Sequence, residues 1–226
     1  MPKVGVLLSG CGVLDGSEVY ESVLTILALE RAGADVAAIA PDIEQAEVLN
    51  HYRGTELRTG ETGGPERSVL AESARIVRGK ITSLTEVSAH DFDALIIPGG
   101  YGVVKNLCTY AEDGDKARVD ENVKRLIVEM VSLGKPIGAI CIAPVLIALC
   151  VGDRAPSLTV GSDAKTAVDL QRFGASHTAT ALNEIHVDEK LNIVSTPAFL
   201  LANHAIEAEP GINKLVSKVL ELAAQM

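Results

Sequence analysis

Short apolar runs alternate with longer amphipathic segments along most of the chain, and this alternation constrains the fold more than any other feature. The apolar runs stop at glycine or proline, and the amphipathic segments have helical periodicity and mostly end at glycine, as helices often do. Predicted strands lie at residues 3–9, 35–40, 94–97, 136–140 and 193–196, and predicted helices at 17–32, 68–75, 120–133, 164–173 and 211–225. Strands that alternate with helices form βαβ units, which build a parallel sheet covered by helices on both faces. The sequence therefore predicts a three-layer α/β/α sandwich with a mostly parallel sheet.

Two stretches interrupt this alternation. Residues 51–66 are rich in Gly, Thr and charge, show no periodicity, and are predicted to form an insertion loop. Residues 80–85 are polar and extended, and are predicted to form a strand or an edge of the sheet. No repeat of about 20 to 50 residues and no linker-like composition divides the chain. Residues 1–226 are therefore expected to form a single domain.

Charge and composition exclude several classes of function. The 226 residues include 30 acidic and 20 basic side chains, for a formal net charge of −10, and only 3% are aromatic. Nucleic-acid-binding surfaces use basic patches and stacking aromatics, so nucleic acid is not an expected partner. The cysteines, at positions 11, 108, 141 and 150, show no CxxC spacing and no paired histidines nearby, so neither a metal site nor a disulfide framework is predicted. A reducing, cytoplasmic location is the resulting expectation.

The longest uncharged run, residues 136–152, is the main candidate for a membrane span. Its 17 residues include two prolines and two glycines, and it is shorter than the roughly 20 residues that a bilayer requires. The N-terminus also lacks the long apolar region and the small-residue cleavage site of a signal peptide. The run is better interpreted as a buried strand that leads into a buried helix, and no membrane partner is expected.

Cys141 lies at the junction of that strand and helix. A nucleophile on such a sharp turn needs small residues two positions before and two positions after it, and Ala139 and Ala143 meet this requirement. Pro144 suits the first turn of the helix, whose N-terminus favours a thiolate. An inert, buried cysteine is the alternative, and it is the preferred interpretation of Cys150. The turn pattern predicts that Cys141 is a nucleophile.

The segment Pro98-Gly99-Gly100 follows another predicted strand. Taken alone, it is equally consistent with a simple tight turn. The carboxyl ends of parallel strands meet at one edge of a sheet, however, so this turn is expected to lie beside Cys141. The backbone N–H groups of Gly100 and Ile142 would then converge on an oxyanion formed when Cys141 attacks a carbonyl.

A nucleophile of this kind needs a partner for proton transfer. No histidine directly follows a predicted strand. Two carboxylates, Glu18 and Glu21, lie three residues apart at the start of the first helix. For Glu18 we favour a structural role as an acid at a helix N-terminus that Ser17 caps.

Taken together, these motifs resemble those of the DJ-1/PfpI superfamily, also called class I glutaminase-like proteins. The resemblance is strongest to its ElbB-type branch, the isoprenoid biosynthesis proteins with an amidotransferase-like domain. It spans nearly the whole chain and rests on the segments LSGCGVLDGSEVYES (8–22), APD (40–42), ESARIVRGKI (72–81), PGGYGVVKNL (98–107), GKPIGAICIAPVL (134–146), LTVGSD (158–163) and STPAFLLA (195–202).

The resemblance implies a flavodoxin-like sandwich with Cys141 as the nucleophile. Members of the superfamily place a glutamate of the first helix against that thiol, twelve residues before the glycine that ends the helix, and counting back from Gly33 gives Glu21. The ElbB type is similar to glutathione-independent glyoxalases, which convert glyoxal to glycolate and methylglyoxal to lactate without a cofactor. Cys141 would add to the aldehyde as a hemithioacetal, and Glu21 would move a proton between carbon and oxygen. The resemblance also implies a homodimer and a small dicarbonyl substrate.

The sequence departs from the glutaminase pattern at several positions. Alanines replace the glycines two residues on either side of the nucleophile, His204 is followed three residues later by Glu207, and Gly161 occupies a position that is often histidine in DJ-1 relatives. Glutamine hydrolysis is therefore not the expected activity. A redox sensor or stress-protective protein, in which Cys141 is oxidised to a sulfinate, and a cysteine hydrolase or amidase remain as alternatives. Cys11, in the first loop, is expected to form a wall of the site or to act as a redox partner.

Overall fold

A computed structural model describes residues 1–56 and 67–226 of the chain. Its helices are α1 Val19–Arg31, α2 Val69–Ile76, α3 Tyr101–Lys105, α4 Tyr110–Asp113, α5 Glu121–Ser132, α6 Ala143–Val151, α7 Ala164–Arg172 and α8 Ala205–Ala223. Its strands are β1 Lys3–Leu7, β2 Asp35–Ala40, β3 Leu49–Asn50, β4 Thr55–Glu56, β5 Thr82–Ser83, β6 Ala94–Ile97, β7 Ile137–Ile140, β8 Ser157–Leu158, β9 Ser176–His177, β10 His186–Asp188 and β11 Ile193–Thr196. Short 3₁₀ turns cover Leu84–Glu86, Ala89–Asp91, Gly114–Lys116, Gly152–Arg154 and Ala198–Leu200.

The central sheet has seven strands in the part of the chain that the structure describes, in the order β10-β11-β7-β6-β1-β2-β5. Each neighbouring pair is parallel except β10 and β11, which are antiparallel. The mostly parallel sheet with helices on both faces confirms the predicted flavodoxin-like sandwich. The short strand β5 pairs with β2 at one edge of the sheet, as the polar stretch 80–85 predicts. That residues 1–226 form a single domain stays a prediction.

Consecutive residues of the central strands face two separate cores, which explains why these strands are apolar without interruption. Val4 and Val6 of β1 pack in a core that includes residues of α1 and α8. Leu7 packs in the other core, with residues of α5 and α6. Both faces of a parallel sheet must be covered, so side chains on both faces are buried and the polar alternation of a half-exposed strand is lost.

The sequence predictions miss the edge strand β10, the helices α3 and α4 and the two-residue strands β3, β8 and β9, and they misplace the start of the last helix. The last helix begins at Ala205 and not at residue 211, so Pro210 lies inside it. The Glu207 carboxylate accepts hydrogen bonds from the backbone N–H groups of Asn203, at 2.8 Å, and His204, at 3.1 Å, and this cap starts the helix before its apolar pattern begins. Within the predicted insertion loop 51–66, β4 pairs with β3, and residues 57–66 lie outside the described residues.

The buried run 136–152 forms β7, a turn and most of α6, as the sequence predicts. Among the described residues, no helix combines the length and the apolar character that crossing a bilayer would require.

Glycines allow the loop after β1 to pack, backbone to backbone, against the turn after β6. The Gly102 N–H donates a hydrogen bond to the Gly16 carbonyl at 2.9 Å, and the Glu18 N–H donates one to the Gly99 carbonyl at 2.9 Å. A Cβ on Gly102 would lie 2.5 Å from Gly16 Cα, and a Cβ on Gly100 would overlap the backbone of residues 16–18. Gly100 also has φ +98°, which favours glycine. This packing brings the start of α1 to the carboxyl end of β6.

The buried side chain of Asn106 ties the same loop in place. Its Nδ2 donates to the carbonyls of Ser9, at 2.8 Å, and Asp15, at 2.9 Å. Its Oδ1 accepts a hydrogen bond from the Ala46 N–H at 2.9 Å. One side chain therefore satisfies three backbone groups from two separate segments.

Replacing Asn106 with alanine should destabilise the protein. Each lost hydrogen bond is worth about 1 kcal/mol, and the buried carbonyls lose their partner, so we expect Asn106→Ala to lower the free energy of unfolding by about 2–4 kcal/mol. Urea denaturation followed by circular dichroism measures this change. Asn203→Ala, at an exposed position, is the control. A loss for Asn106→Ala within the roughly 0.5 kcal/mol of ordinary surface substitutions would show that the loop does not depend on this side chain.

Candidate active site

Cys141 occupies a strained turn between β7 and α6. Its φ of +62° lies in the left-handed region, which non-glycine residues seldom adopt. Its N–H donates a hydrogen bond to the Thr196 carbonyl at 2.9 Å, which fixes the turn against β11. Ala139 and Ala143 are fully buried on either side, and Pro144 lies in the first turn of α6. The sharp strand-to-helix turn predicted from the spacing of small residues is therefore present.

Glu21 lies in the first turn of α1, fully buried against Cys141. The carboxyl lies beside the Cys141 thiol and raises its pKa. Glu21 Oε2 also accepts from the Gly99 N–H at 2.8 Å, and Oε1 accepts from the Phe199 N–H at 3.2 Å. A Cβ on Gly99 would lie 2.5 Å from Cys141 Cβ and 2.6 Å from Glu21 Oε2, so only glycine leaves room for this contact. The structure thus brings together the two residues that the resemblance pairs.

The thiol and the carboxyl both hold their protons more tightly than usual. Burial, and then the nearby charge of Glu18, raise the pKa of Glu21 to about 8, against the lowering effect of the Phe199 and Gly99 N–H groups. Burial and the Glu21 carboxylate raise the pKa of the Cys141 thiol well above its usual value. The expectation that the helix N-terminus makes Cys141 a thiolate is wrong, because desolvation and the neighbouring carboxylate outweigh it.

Two backbone N–H groups lie near the Cys141 sulfur. They belong to Gly100 and Ile142, and both lower the pKa of the thiol, which shows that they stabilise negative charge at this position. These are the groups that the sequence predicts for an oxyanion hole. That they also form an oxyanion hole stays a prediction.

Glu18 has a different environment from the one expected. Ser17 does not cap α1, because its Oγ accepts a hydrogen bond from the Ser9 N–H at 2.8 Å. Glu18 is the capping residue, and its Oε2 accepts from the Glu21 N–H at 2.6 Å. It also lines the cavity above Cys141, and burial raises its pKa. Sequence reasoning missed this exposure to the cavity, although the three-residue spacing from Glu21 was a signal that the two carboxyls are neighbours.

A cavity of about 800 Å³ opens above the thiol. Cys141, Ile142, Gly100 and Glu18 line its floor, and side chains of α3, α4, α7 and the 3₁₀ turn Ala198–Leu200 line its walls. Glu21 lies next to the thiol but is not among the lining residues. The arrangement can therefore hold an electrophile over the Cys141 sulfur, with the Glu21 carboxyl next to the sulfur and the Glu18 carboxyl in the cavity lining.

The remaining candidate residues lie elsewhere. Cys11 is half-buried and outside the cavity lining, so the prediction that it forms a wall is wrong, and burial raises the pKa of its thiol. The buried Cys150 also has a raised pKa, about 12, in agreement with an inert role. His204 and Glu207 form the cap of α8. None of the histidines, all of which are described, lines the cavity, and the described residues contain no cluster of metal-binding side chains.

Both residues of the candidate site lie within a stretch of the chain that matches a known protein family. The DJ-1/PfpI family model matches residues 11–196, from the loop after β1 to the end of β11. The chain belongs to the DJ-1/PfpI family. The match includes both residues of the Cys141–Glu21 contact.

Individual proteins extend the similarity over nearly the whole chain. The human glutamine amidotransferase-like class 1 domain-containing protein 3, mitochondrial, is 42% identical over 232 residues, which cover 99% of this chain and 84% of that protein. An Ehrlichia chaffeensis isoprenoid biosynthesis protein with an amidotransferase-like domain has a TM-score of 0.89 at 30% identity, over 98% of this chain and 99% of that one, and this confirms the predicted branch. Glyoxalase III from Candida albicans has a TM-score of 0.62 at 12% identity, over 98% and 97% of the two chains, and shares the fold.

The buried Glu21 should make stability depend on pH. Its folded-state pKa of about 8 exceeds the ordinary 4.5, so below pH 4.5 both the folded and the unfolded states are protonated and its contribution to stability is complete. As pH rises from 4.5 to 8, only the unfolded state ionises, and the free energy of unfolding should fall by about 1.4 kcal/mol per pH unit.

Glu21→Gln isolates this effect because glutamine does not titrate. As pH rises from 4.5 to 8, we expect the wild-type protein to lose about 1.4 kcal/mol of unfolding free energy per pH unit relative to Glu21→Gln. Urea denaturation at several pH values provides the measurement. Glu30→Gln, at an exposed position of α1, should show no such slope. If the free energy of unfolding depends on pH in the same way for wild type and Glu21→Gln, Glu21 ionises normally in the folded protein.

Proposed function

We propose that this DJ-1/PfpI protein is a cofactor-free enzyme of the glyoxalase type, which converts an α-oxoaldehyde and water to a 2-hydroxy acid. The observation that carries the proposal is the Cys141 thiol, in contact with the buried Glu21 carboxyl and two backbone N–H groups at the floor of an open cavity. A nucleophile, a proton acceptor and an oxyanion site are the groups that addition to an aldehyde requires.

The first step is addition of the Cys141 sulfur to the aldehyde carbon. A carbon–sulfur bond forms, the carbonyl π bond breaks, and the thiol proton passes to Glu21. The N–H groups of Gly100 and Ile142 stabilise the resulting oxyanion, which then takes a proton to give a hemithioacetal.

The second step moves hydrogen within the substrate. The proton on the former aldehyde carbon leaves to a carboxylate, and a proton is returned to the neighbouring carbon through an enediol. The first carbon is thereby oxidised to a thioester and the second is reduced to an alcohol, so no external redox partner is needed. Glu21 can exchange a proton at the sulfur, whereas Glu18 lines the cavity, and we assign to it the proton transfer at the substrate carbons. Water then hydrolyses the thioester, which releases the hydroxy acid and restores the thiol.

The alternatives fit the geometry less well. Oxidation of a sensor cysteine starts from an exposed thiolate, and Cys141 is only 8% exposed with a raised pKa. Glutamine hydrolysis of the kind suggested by the amidotransferase-like names of the relatives is disfavoured because no histidine lines this cavity. The proposal is supported by the fold that this chain shares with a protein named glyoxalase III. A homodimer and a cytoplasmic location are also proposals, and the human relative is named as mitochondrial.

Turnover of methylglyoxal tests the proposal. Wild-type protein should form lactate above the buffer background, and Cys141→Ala should abolish this activity. Glu21→Gln should lower kcat by about 10²–10⁴-fold, the usual contribution of a positioned acid or base. Cys150→Ala, which removes a buried thiol elsewhere in α6, should retain activity. If wild type forms no lactate, or if Cys141→Ala is as active as wild type, the enzyme assignment is wrong.

The pH dependence of the reaction should reflect the ionisation of Glu21, which is coupled to that of Cys141. Glu21 must be ionised to accept the thiol proton, so kcat/KM should rise about tenfold per pH unit below pH 8 and level off above it. Initial rates corrected for the uncatalysed reaction measure this profile. Glu21→Gln should lose the rise that ends near pH 8. A profile that is already flat at pH 6 would contradict a Glu21 with a raised pKa.

A further inference from the structure

The size of the cavity indicates a substrate larger than methylglyoxal. Its volume of about 800 Å³ lies in the range of roughly 300–1,000 Å³ that is typical of pockets for drug-sized ligands. A two- or three-carbon dicarbonyl bound to Cys141 would occupy only the floor. The walls would contact nothing, and their binding energy would not contribute to catalysis.

The aromatic residues of the chain are concentrated around this cavity. The sequence contains four Tyr, three Phe and no Trp, and Tyr101, Tyr110 and Phe199 all line the cavity. In a protein with so few aromatic side chains, three on one cavity mark a surface suited to flat, apolar groups.

The surroundings of these rings hold two of them in place. Phe199 is stacked from behind by Tyr20, with ring centroids 6.0 Å apart. Tyr110 packs edge-on against Phe173 at 5.8 Å, and its hydroxyl donates a hydrogen bond to Asp169. Tyr101, by contrast, is 53% exposed at the start of α3. Two rings are thus fixed before any ligand binds, and the third is largely exposed, with Lys105 Nζ over its ring at 5.7 Å from the centroid.

The other lining residues define the charge of the substituent. Val104, Ile142 and Leu200 extend the apolar surface from the thiol toward the rings. The charged lining residues are Glu18, Glu112, Asp115, Asp163, Asp169, Lys165 and Arg172, and Arg172 is already paired with Asp169 at 2.9 Å. Because carboxylates outnumber cations, an anionic substituent would be repelled.

We infer that the preferred substrates are α-oxoaldehydes that carry an uncharged aryl or similarly bulky apolar substituent on the ketone carbon. This inference rests on the proposed function, since it names the substrate class for the same site. For phenylglyoxal the overall reaction consumes one water and yields mandelate, through the same carbon–sulfur bond formation, internal hydrogen transfer and thioester hydrolysis.

A comparison of phenylglyoxal with methylglyoxal tests the preference. Burial of a phenyl ring should raise kcat/KM for phenylglyoxal at least about tenfold above that for methylglyoxal. Tyr101→Ala should lower the ratio of the two values roughly three- to tenfold, because the substituent loses one aromatic contact. Tyr52→Ala, at a tyrosine that is 95% exposed and outside the cavity, should leave the ratio unchanged. A wild-type ratio near or below one, or an equal loss on both substrates in Tyr101→Ala, would overturn the inference.

A binding measurement separates this inference from the proposed function. Acetophenone and acetone differ by a phenyl and a methyl group, cannot undergo the reaction, and can be compared by saturation-transfer NMR with the wild-type protein. Tighter binding of acetophenone, weakened in Tyr101→Ala, would support the aryl subsite even if neither aldehyde is turned over, in which case only the enzymatic proposal fails. Equal binding of the two ketones would overturn the subsite whatever the turnover. Turnover of 4-carboxyphenylglyoxal as fast as phenylglyoxal would overturn the preference for an uncharged substituent.

Discussion

A carboxyl group buried with no positive partner among the described residues is the constraint on which the arrangement of this site depends. Glu21 is fully buried, and its partners are the Cys141 thiol beside it and the backbone N–H groups of Gly99 and Phe199, which donate hydrogen bonds to its carboxylate. Each partner comes from a loop after a different strand, so the three loops must meet at one point. The requirement for glycine at position 99 and the close packing of Gly16 against Gly102 follow from that meeting.

Such a site opposes folding, and the rest of the structure offsets the cost. Above pH 4.5 an unionised Glu21 lowers stability, and the positive φ of Cys141 adds backbone strain of order 1–3 kcal/mol. Two apolar cores, one on each face of the sheet, supply the opposing term. The backbone strain and the raised pKa of the thiol are both found at Cys141. Strained residues and perturbed pKa values cluster at functional sites in proteins.

The sequence predicts the layers well because strand and helix periodicities are local. It also predicts the turn at Cys141, because the turn requires small side chains two positions before and after the cysteine, and Ala139 and Ala143 are visible in the local sequence. Glu21 could be chosen over Glu18 only by resemblance, because the fold alone brings residue 21 to residue 141. The thiolate expectation failed because burial by distant segments, which no local pattern shows, outweighs the helix N-terminus. The start of α8 and the capping role of Glu18 depend on polar residues close in sequence, and the apolar periodicity used to place the helices does not report such residues.

The hydrogen bond from Phe199 to Glu21 joins residues 178 positions apart in the chain. During synthesis, α1 therefore emerges from the ribosome long before the segment that completes the surroundings of its carboxyl. Until residue 199 is available, Glu21 lacks one of its two backbone donors and remains accessible to water, where its acidity is ordinary. The surroundings of the Glu21–Cys141 pair are thus complete only when the last sheet strand, β11, and the turn after it have docked, so a partly made chain lacks the raised pKa of the buried Glu21.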